Sequence, residues 1–264
     1  MADRSTVRVN GAVLSYAERG EGAALVLLHG GLVSSAMWEP LVPEITGDLR
    51  VITPDSRGHG HSTNPDGELS YPALADDVAG LIGALGLVRP VVGGWSDGGQ
   101  VALELAVRHP GSAGALIVGA AHPDFAASCL REAHRALLGA DETGAPDLAR
   151  LDEHLGEVAG AIKAWHPGGT DRWRALVEQT APMWLGYAGL TTERLASIDV
   201  PVLVLTGDRD ELVPLDLALS LYLALPDAEL AVCPRAGHGG PMTPERAPAF
   251  AAMISDFARR YAAG

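Results

Sequence analysis

Ala23-Ala-Leu-Val-Leu-Leu28 is an unbroken apolar run that leaves no polar side to the strand it would form. A strand with one wet face alternates apolar and polar residues, so a short continuous run belongs in a sheet covered on both faces. Arg50-Val-Ile-Thr53, Pro90-Val-Val-Gly93, Ala115-Leu-Ile-Val118, Val202-Leu-Val-Leu205 and Glu229-Leu-Ala-Val232 repeat that character. Helical patterns separate them. Tyr71 to Leu85 places Leu74, Val78, Leu81, Ile82 and Leu85 on one face, and Leu215 to Leu225 behaves likewise. Pro244 to Tyr261 predicts a closing helix whose first turn is weakened by Pro248. Strands alternating with helices predict an α/β fold with a mostly parallel sheet. Ahead of them, Val7-Arg-Val9 and Val13-Leu-Ser-Tyr16 flank Asn10-Gly11, a dipeptide suited to a tight hairpin turn.

One stretch breaks the alternation. Pro123 to Leu190 holds no convincing strand, only amphipathic helical pieces punctuated by Gly144-Ala-Pro146 and His166-Pro-Gly-Gly169. Leu151, Leu155, Val158 and Ile162 have helical spacing, and Trp165, Trp173, Met183, Trp184 and Tyr187 gather large apolar side chains there. The expected organisation is a core of residues 1–122 and 191–264 with a helical cap of residues 123–190 over the strand ends. Cap-to-core packing is the first reading of the aromatics, with direct substrate contact the alternative.

In open α/β sheets, ligands bind beyond the carboxyl ends of the strands, so the segments just after the runs are the ones to inspect. Gly94-Trp-Ser-Asp-Gly98 follows one run and precedes the helix-like Gly99 to Arg108. In that context G-x-S-x-G marks a nucleophile elbow, where a strained turn lifts a serine hydroxyl above the sheet. Ser96 alone is a poor nucleophile and needs a base, itself oriented by a carboxylate. His238 in Ala236-Gly-His-Gly239 suits the base, because imidazole both takes and returns a proton near neutral pH. Asp210 in Gly207-Asp-Arg-Asp210 is the first candidate for the carboxylate, ahead of Asp208 and then Asp124. The oxyanion of an attacked carbonyl needs two amides: that of Asp97 is one, and Gly31, or failing it Leu32, supplies the other. Leu32, Trp95, His122 and Trp184 are the candidate substrate-contacting residues, with hinge packing an equal alternative for His122.

These segments resemble the α/β-hydrolase superfamily across nearly the whole chain: H-G-G at 29–31, D-x-R-G-H-G-x-S at 55–62, G-x-S-x-G at 94–98, G-D-x-D at 207–210 and G-H at 237–238. The resemblance implies an eight-stranded, mostly parallel sheet flanked by helices, with a helical lid. It also implies the Ser96–Asp210–His238 assignment and a bracing role for the Arg57–Gly60 loop. Serine at the elbow sets the chain apart from epoxide hydrolases and haloalkane dehalogenases, which carry aspartate there. Gly94 to Gly99 is further similar to the valacyclovir hydrolase-like branch, where the acid after the serine binds a substrate amino group. Asp97 holds that position; the alternative is a carboxylate turned into hydrogen bonds of the elbow itself.

Composition bounds the remaining possibilities. At 264 residues and 47% hydrophobic content the chain can bury a sizeable core. A formal net charge of −14 argues against nucleic acid or an anionic membrane as partner, since both need a basic footprint. Cys129 and Cys233 lie far apart with no metal-like spacing, which predicts buried free thiols. Met1 to Thr6 has no apolar signal segment, so a cytoplasmic protein is expected. Asp55, His59 and His61 sit close in sequence, but no complementary ligand cluster accompanies them, and no glycine-rich piece fits a phosphate or dinucleotide. Neither metal nor cofactor is expected. The leading expectation is a serine hydrolase of a small ester, thioester, lactone or activated amide, including amine-bearing esters. Carbon–carbon bond hydrolysis, cofactor-free peroxidase-like or lyase chemistry, and a non-hydrolytic binding or biosynthetic scaffold are the alternatives. Oligomeric state is not legible.

Overall fold

The computed structural model describes residues 4–45, 47–122 and 128–262. Its centre is an eight-stranded sheet in the order β1-β2-β4-β3-β5-β6-β7-β8. β1 (Arg4–Val9) and β2 (Ala12–Arg19) form the hairpin about Asn10-Gly11, and β2 pairs antiparallel with β4 (Leu49–Pro54). β3 (Ala23–Leu28), β5 (Val91–Trp95), β6 (Ala115–Gly119), β7 (Val202–Gly207) and β8 (Ala228–Cys233) complete the sheet in parallel with β4. Every residue of β5, β6 and β7 is buried, as continuous apolar runs require. The chain leaves β3 toward β4 and returns to β5 on the other side, so strand order reverses between β3 and β5. Their carboxyl ends lie side by side, in register Leu28 to Gly94. That is the crevice where an open α/β sheet takes its ligand.

The helices cover the sheet. α1 (Val42–Ile45) packs on α10 (Ala247–Tyr261), and α2 (Tyr71–Ala84) packs on α3 (Asp97–Arg108). α2 begins where Ser70 accepts a hydrogen bond from the Ala73 amide, and Leu74, Val78, Leu81 and Ile82 of its predicted face are buried. α10 starts at Ala247 rather than Pro244: Pro248 has no N–H and is tolerated only in a first turn, so the helix begins one residue before it.

Between β6 and β7 the described chain is all helix: α4 (Ser128–Leu138), α5 (Leu148–Leu155), α6 (Ala159–Ala164), α7 (Gly169–Gly186) and α8 (Thr192–Ala196). α9 (Leu215–Ala224) then joins β7 to β8. The predicted stripe Leu151–Leu155–Val158–Ile162 does not belong to one helix. Gly156, at φ 56°, ends α5, so Leu151 and Ile162 are buried from separate helices while Val158 is 55% exposed. Asp124 and the Pro123 boundary of the expected cap lie outside the described residues, as does the Cys129 side chain; Cys233 is a buried free thiol whose pKa is pushed up by burial. Among the described residues no helix is long and apolar enough to cross a membrane.

Candidate active site

Ser96 stands between β5 and α3 at φ 55° and ψ −118°, a conformation that side-chain-bearing residues rarely hold. The turn closes because its neighbours are glycine: a Cβ on Gly94 would overlap the Gly98 backbone, and one on Gly98 would overlap the Leu28 carbonyl. The Ser96 amide donates to the Gly119 carbonyl at 2.8 Å, and its own carbonyl starts α3 through the Gln100 amide. Gly30, after β3, lies directly against it, 3.4 Å separating the Ser96 Cβ from the place a Gly30 Cβ would take.

Asp210 and His238, 28 residues apart, meet beyond β7 and β8. His238 Nδ1 lies 3.0 Å from each carboxylate oxygen of Asp210, whose side chain is completely buried. Asp210 Oδ1 is also held by the amides of Leu212 and Val213 at 3.0 and 2.8 Å. Asp208 faces elsewhere: it accepts from the Arg235 amide and lies near Arg209. Nδ1 therefore carries a proton that it donates to Asp210, and Nε2 is the ring nitrogen left to exchange one. No hydrogen bond joins that ring to Ser96 among the described residues, although Trp95, the residue before the serine, reaches His238 directly. Its indole Nε1–H donates to the His238 carbonyl at 2.9 Å, and its ring packs edge-on against Phe250 at 5.2 Å. Trp95, a candidate substrate contact, is 2% exposed, and these partners tie its indole to the histidine loop.

Asp97 is buried beside the elbow. Trp184 of α7 donates its Nε1–H to both carboxylate oxygens, at 3.0 and 2.8 Å, and the Tyr71 hydroxyl donates to Oδ1 at 2.7 Å. Burial raises the Asp97 pKa, while the Trp184 and Tyr71 hydrogen bonds and a cationic His238 pull it down; the net shift is upward. Burial also pushes the Tyr71 hydroxyl well above its ordinary value, with the Asp97 charge adding to the effect. The network continues: Tyr71 and Tyr187 rings lie 4.5 Å apart, Gln100 donates to the Tyr187 hydroxyl, and that hydroxyl donates to Glu104 at 2.6 Å. Gly31 sits against this cluster, where a Cβ would run into Asp97 and Trp184. Leu32 follows at φ 59°, 4% exposed, and His122 after β6 is 1% exposed.

The sequence reading passed over His134. It stacks on Trp184 with ring centroids 4.8 Å apart, and burial, with a smaller push from cationic His238, lowers its pKa to about 4. The signal was present: Leu130, His134 and Leu138 are spaced by four, and both leucines are buried, so His134 sits on the apolar face of α4. As for the 55–62 segment, Asp55 has Ser35 on one oxygen at 2.7 Å and Arg4 on the other at 2.5 Å. Arg57 forms a buried, forked pair with Asp77 at 2.6 and 2.7 Å. Among the described residues no group of three potential metal ligands converges.

A model of the Alpha/beta hydrolase family matches residues 25–253. The chain is 28% identical over 261 residues to a 2-hydroxymuconate semialdehyde hydrolase of a Pseudomonas species, covering 91% of this chain and 88% of the relative. It is 33% identical over 243 residues to a pimeloyl-acyl-carrier-protein methyl ester esterase of Aromatoleum aromaticum, covering 81% and 90%. Among solved structures it is similar to a thermophilic esterase from Thermogutta terrifontis, with a TM-score of 0.77 at 26% identity over 99% of this chain and 100% of that one. It is also similar to an enol-lactonase from Burkholderia xenovorans, with a TM-score of 0.74 at 25% identity over 96% and 99%.

Proposed function

Because the chain belongs to the alpha/beta hydrolase family, we propose that it is a serine hydrolase that opens a carboxylic ester or lactone of a small molecule through an acyl-enzyme. The observation that carries this reading is the Asp210–His238 pair, which orients the imidazole through Nδ1 and leaves Nε2 outside that bond, at the strand ends where Ser96 stands. In the proposed reaction Nε2 takes the Ser96 proton as Oγ attacks the carbonyl carbon. The resulting oxyanion is held by the amides of Asp97 and Gly31, with Leu32 as the neighbouring donor. The imidazolium returns that proton to the leaving alkoxide, and water then repeats the sequence on the acyl-enzyme. The helices between β6 and β7 act as the cap, and Trp184, His122 and Leu32 are the side chains assigned to substrate contact. Esterase and lactonase relatives support the substrate class. Ser96→Ala is expected to abolish turnover of p-nitrophenyl acetate and labelling by a fluorophosphonate; a variant keeping most of its turnover refutes the assignment.

A second reading has its own support. Likeness to 2-hydroxymuconate semialdehyde hydrolase favours cleavage of a carbon–carbon bond beside a ketone by the same residues. Assaying a dienone of that class alongside the ester panel separates the two, since each predicts the larger kcat/KM on its own substrate. The amine-bearing ester is the narrowest form of the proposal. Asp97 has both oxygens engaged by neutral donors, which satisfies its hydrogen bonding without neutralising its charge. An aminoacyl ester preferred over its plain acyl counterpart by wild type but not by Asp97→Asn supports ammonium binding. Equal preference in both proteins removes it.

A further inference from the structure

His166 lies outside every motif that carried the functional reading, yet its ring is inserted between the two loops that build the rim. Pro167 disfavours continuation of α6 past His166. The ring turns inward and is 2% exposed, packed 5.8 Å from Trp173 and 6.2 Å from His59. Both ring nitrogens are used, with opposite polarity. Nδ1 accepts from the Gly60 amide at 2.9 Å, and Nε2 pairs with the Leu32 carbonyl at 3.0 Å. An amide can only donate and a carbonyl can only accept, so the ring is neutral with its proton on Nε2.

The two partners are unlike each other in a telling way. Gly60 belongs to the loop wound on Asp55, which itself holds the Ser35 amide and hydroxyl and the His61 amide. Leu32 is the left-handed residue of the loop after β3, at φ 59°. A leucine keeps that conformation only where its surroundings fix it. His29 secures the start of this loop, accepting from the Ser56 amide at 2.9 Å through Nε2. Among the described residues, the hydrogen bond from His166 is the one made to the Leu32 backbone by a side chain of the helical segment. Arg172 of the same segment adds a second tie by donating to the Ser62 carbonyl.

We propose that His166 is a positioning residue for the oxyanion loop: the cap lends its imidazole to hold the Leu32 carbonyl, and with it the turn that aims the Gly31 and Leu32 amides at the carbonyl attacked by Ser96. The inference rests on the serine-hydrolase reading. His166 touches no reacting atom, so its loss acts on the transition state, where the oxyanion exists, and not on binding of the neutral ester.

The test compares His166→Phe, which keeps an aromatic ring but makes neither hydrogen bond, with His166→Gln, whose amide N–H can still reach the Leu32 carbonyl. For His166→Phe, kcat for p-nitrophenyl acetate should fall about 10- to 100-fold, with KM within about twofold of wild type, and His166→Gln should recover most of the loss. Amide exchange in peptides spanning 29–35 should rise in His166→Phe, a readout independent of turnover. A kcat within threefold of wild type, or unchanged exchange in 29–35, overturns the proposal. Should neither variant fold, the wild-type ring decides: an imidazole NMR signature of anything but neutral Nε2–H at pH 7 overturns it, and that signature supports it. Wild type lacking both ester turnover and a fluorophosphonate adduct at Ser96 would instead refute the hydrolase reading.

Discussion

Replacing Asp210 with asparagine isolates what the carboxylate does for His238. Oδ1 receives two backbone amides, from Leu212 at 3.0 Å and Val213 at 2.8 Å, so an asparagine must put its carbonyl oxygen there to keep them. Its NH2 group then occupies the Oδ2 position, 3.0 Å from His238 Nδ1. Oδ1 lies equally close to Nδ1 but is already shared between the two amides, so the NH2 donor facing Nδ1 favours the tautomer with its proton on Nε2, and the base presents an N–H where it needs a lone pair. The loop retains its hydrogen bonds, so folding is little affected while the chemistry loses its proton acceptor. Where this inversion occurs in a serine triad, kcat falls by roughly 10,000-fold, equivalent to about 5 kcal/mol of transition-state stabilisation. Steady-state hydrolysis of p-nitrophenyl acetate, with a thermal melt on the same sample, measures both. Asp208→Asn is the control, since Asp208 bonds the Arg235 amide and takes no part in holding His238. An Asp210→Asn enzyme with more than a tenth of wild-type kcat refutes the argument, as does an equal loss in Asp208→Asn.

Acid should unfold the protein through its buried histidines. His134 and His166 each have pKa values lowered to about 4, chiefly by burial, against about 6.5 in an unfolded chain. A depressed folded pKa means the unfolded chain binds more protons in that window. Each ring therefore contributes stability that is complete above about pH 6.5 and is lost as pH falls through about 4, on the order of 3 kcal/mol apiece. His29, His59, Asp55 and Arg172 set the field at His166, and His238 contributes at His134. The urea midpoint should be lower at pH 5 than at pH 7, with a shallower dependence in His166→Phe; equal midpoints at the two pH values contradict the assignment. Arg57→Leu should cost about 3–5 kcal/mol in urea unfolding, because it strands Asp77 at 3% side-chain exposure, and Arg57→Leu with Asp77→Leu should recover most of it. A double variant no more stable than the single one argues against that account.

The strands were legible because burial on both faces writes itself into composition: β5, β6 and β7 have no wet side, and the sequence shows none. Helix limits were less so. Pro244 and Ala247 differ only in where the chain first needs an N–H, and the spacing of Val158 matched a helix that Gly156 had already ended. The residues following each strand could be listed in order, but not how their side chains turn. Asp210 and Asp208 are two residues apart in one loop, and what separates them is which one the Leu212 and Val213 amides collect. His166 escaped notice because His166-Pro-Gly-Gly169 has the composition of a break between helices. Its partners, Leu32 and Gly60, are backbone groups 134 and 106 residues away, and backbone groups leave no mark in a sequence.

The side chains on either side of Ser96 are both committed to other parts of the protein. Trp95 is spent on the His238 carbonyl and Phe250, and Asp97 on Trp184 and Tyr71. A residue pinned by buried hydrogen bonds cannot reorient to suit a ligand without leaving a donor or acceptor unmade, at a cost of about 1–3 kcal/mol. The elbow is thus built for constancy: one neighbour ties Ser96 to the His238 loop, and the other ties it to α7. On α7 and α4, Trp184 is itself tied to Asp97, and His134 stacks on its ring. Relatives at 28% and 33% identity bear the names of a 2-hydroxymuconate semialdehyde hydrolase and a pimeloyl-acyl-carrier-protein methyl ester esterase. One fold thus carries different named activities, and the contacts that pin Trp95 and Asp97 are features of this chain's own rim.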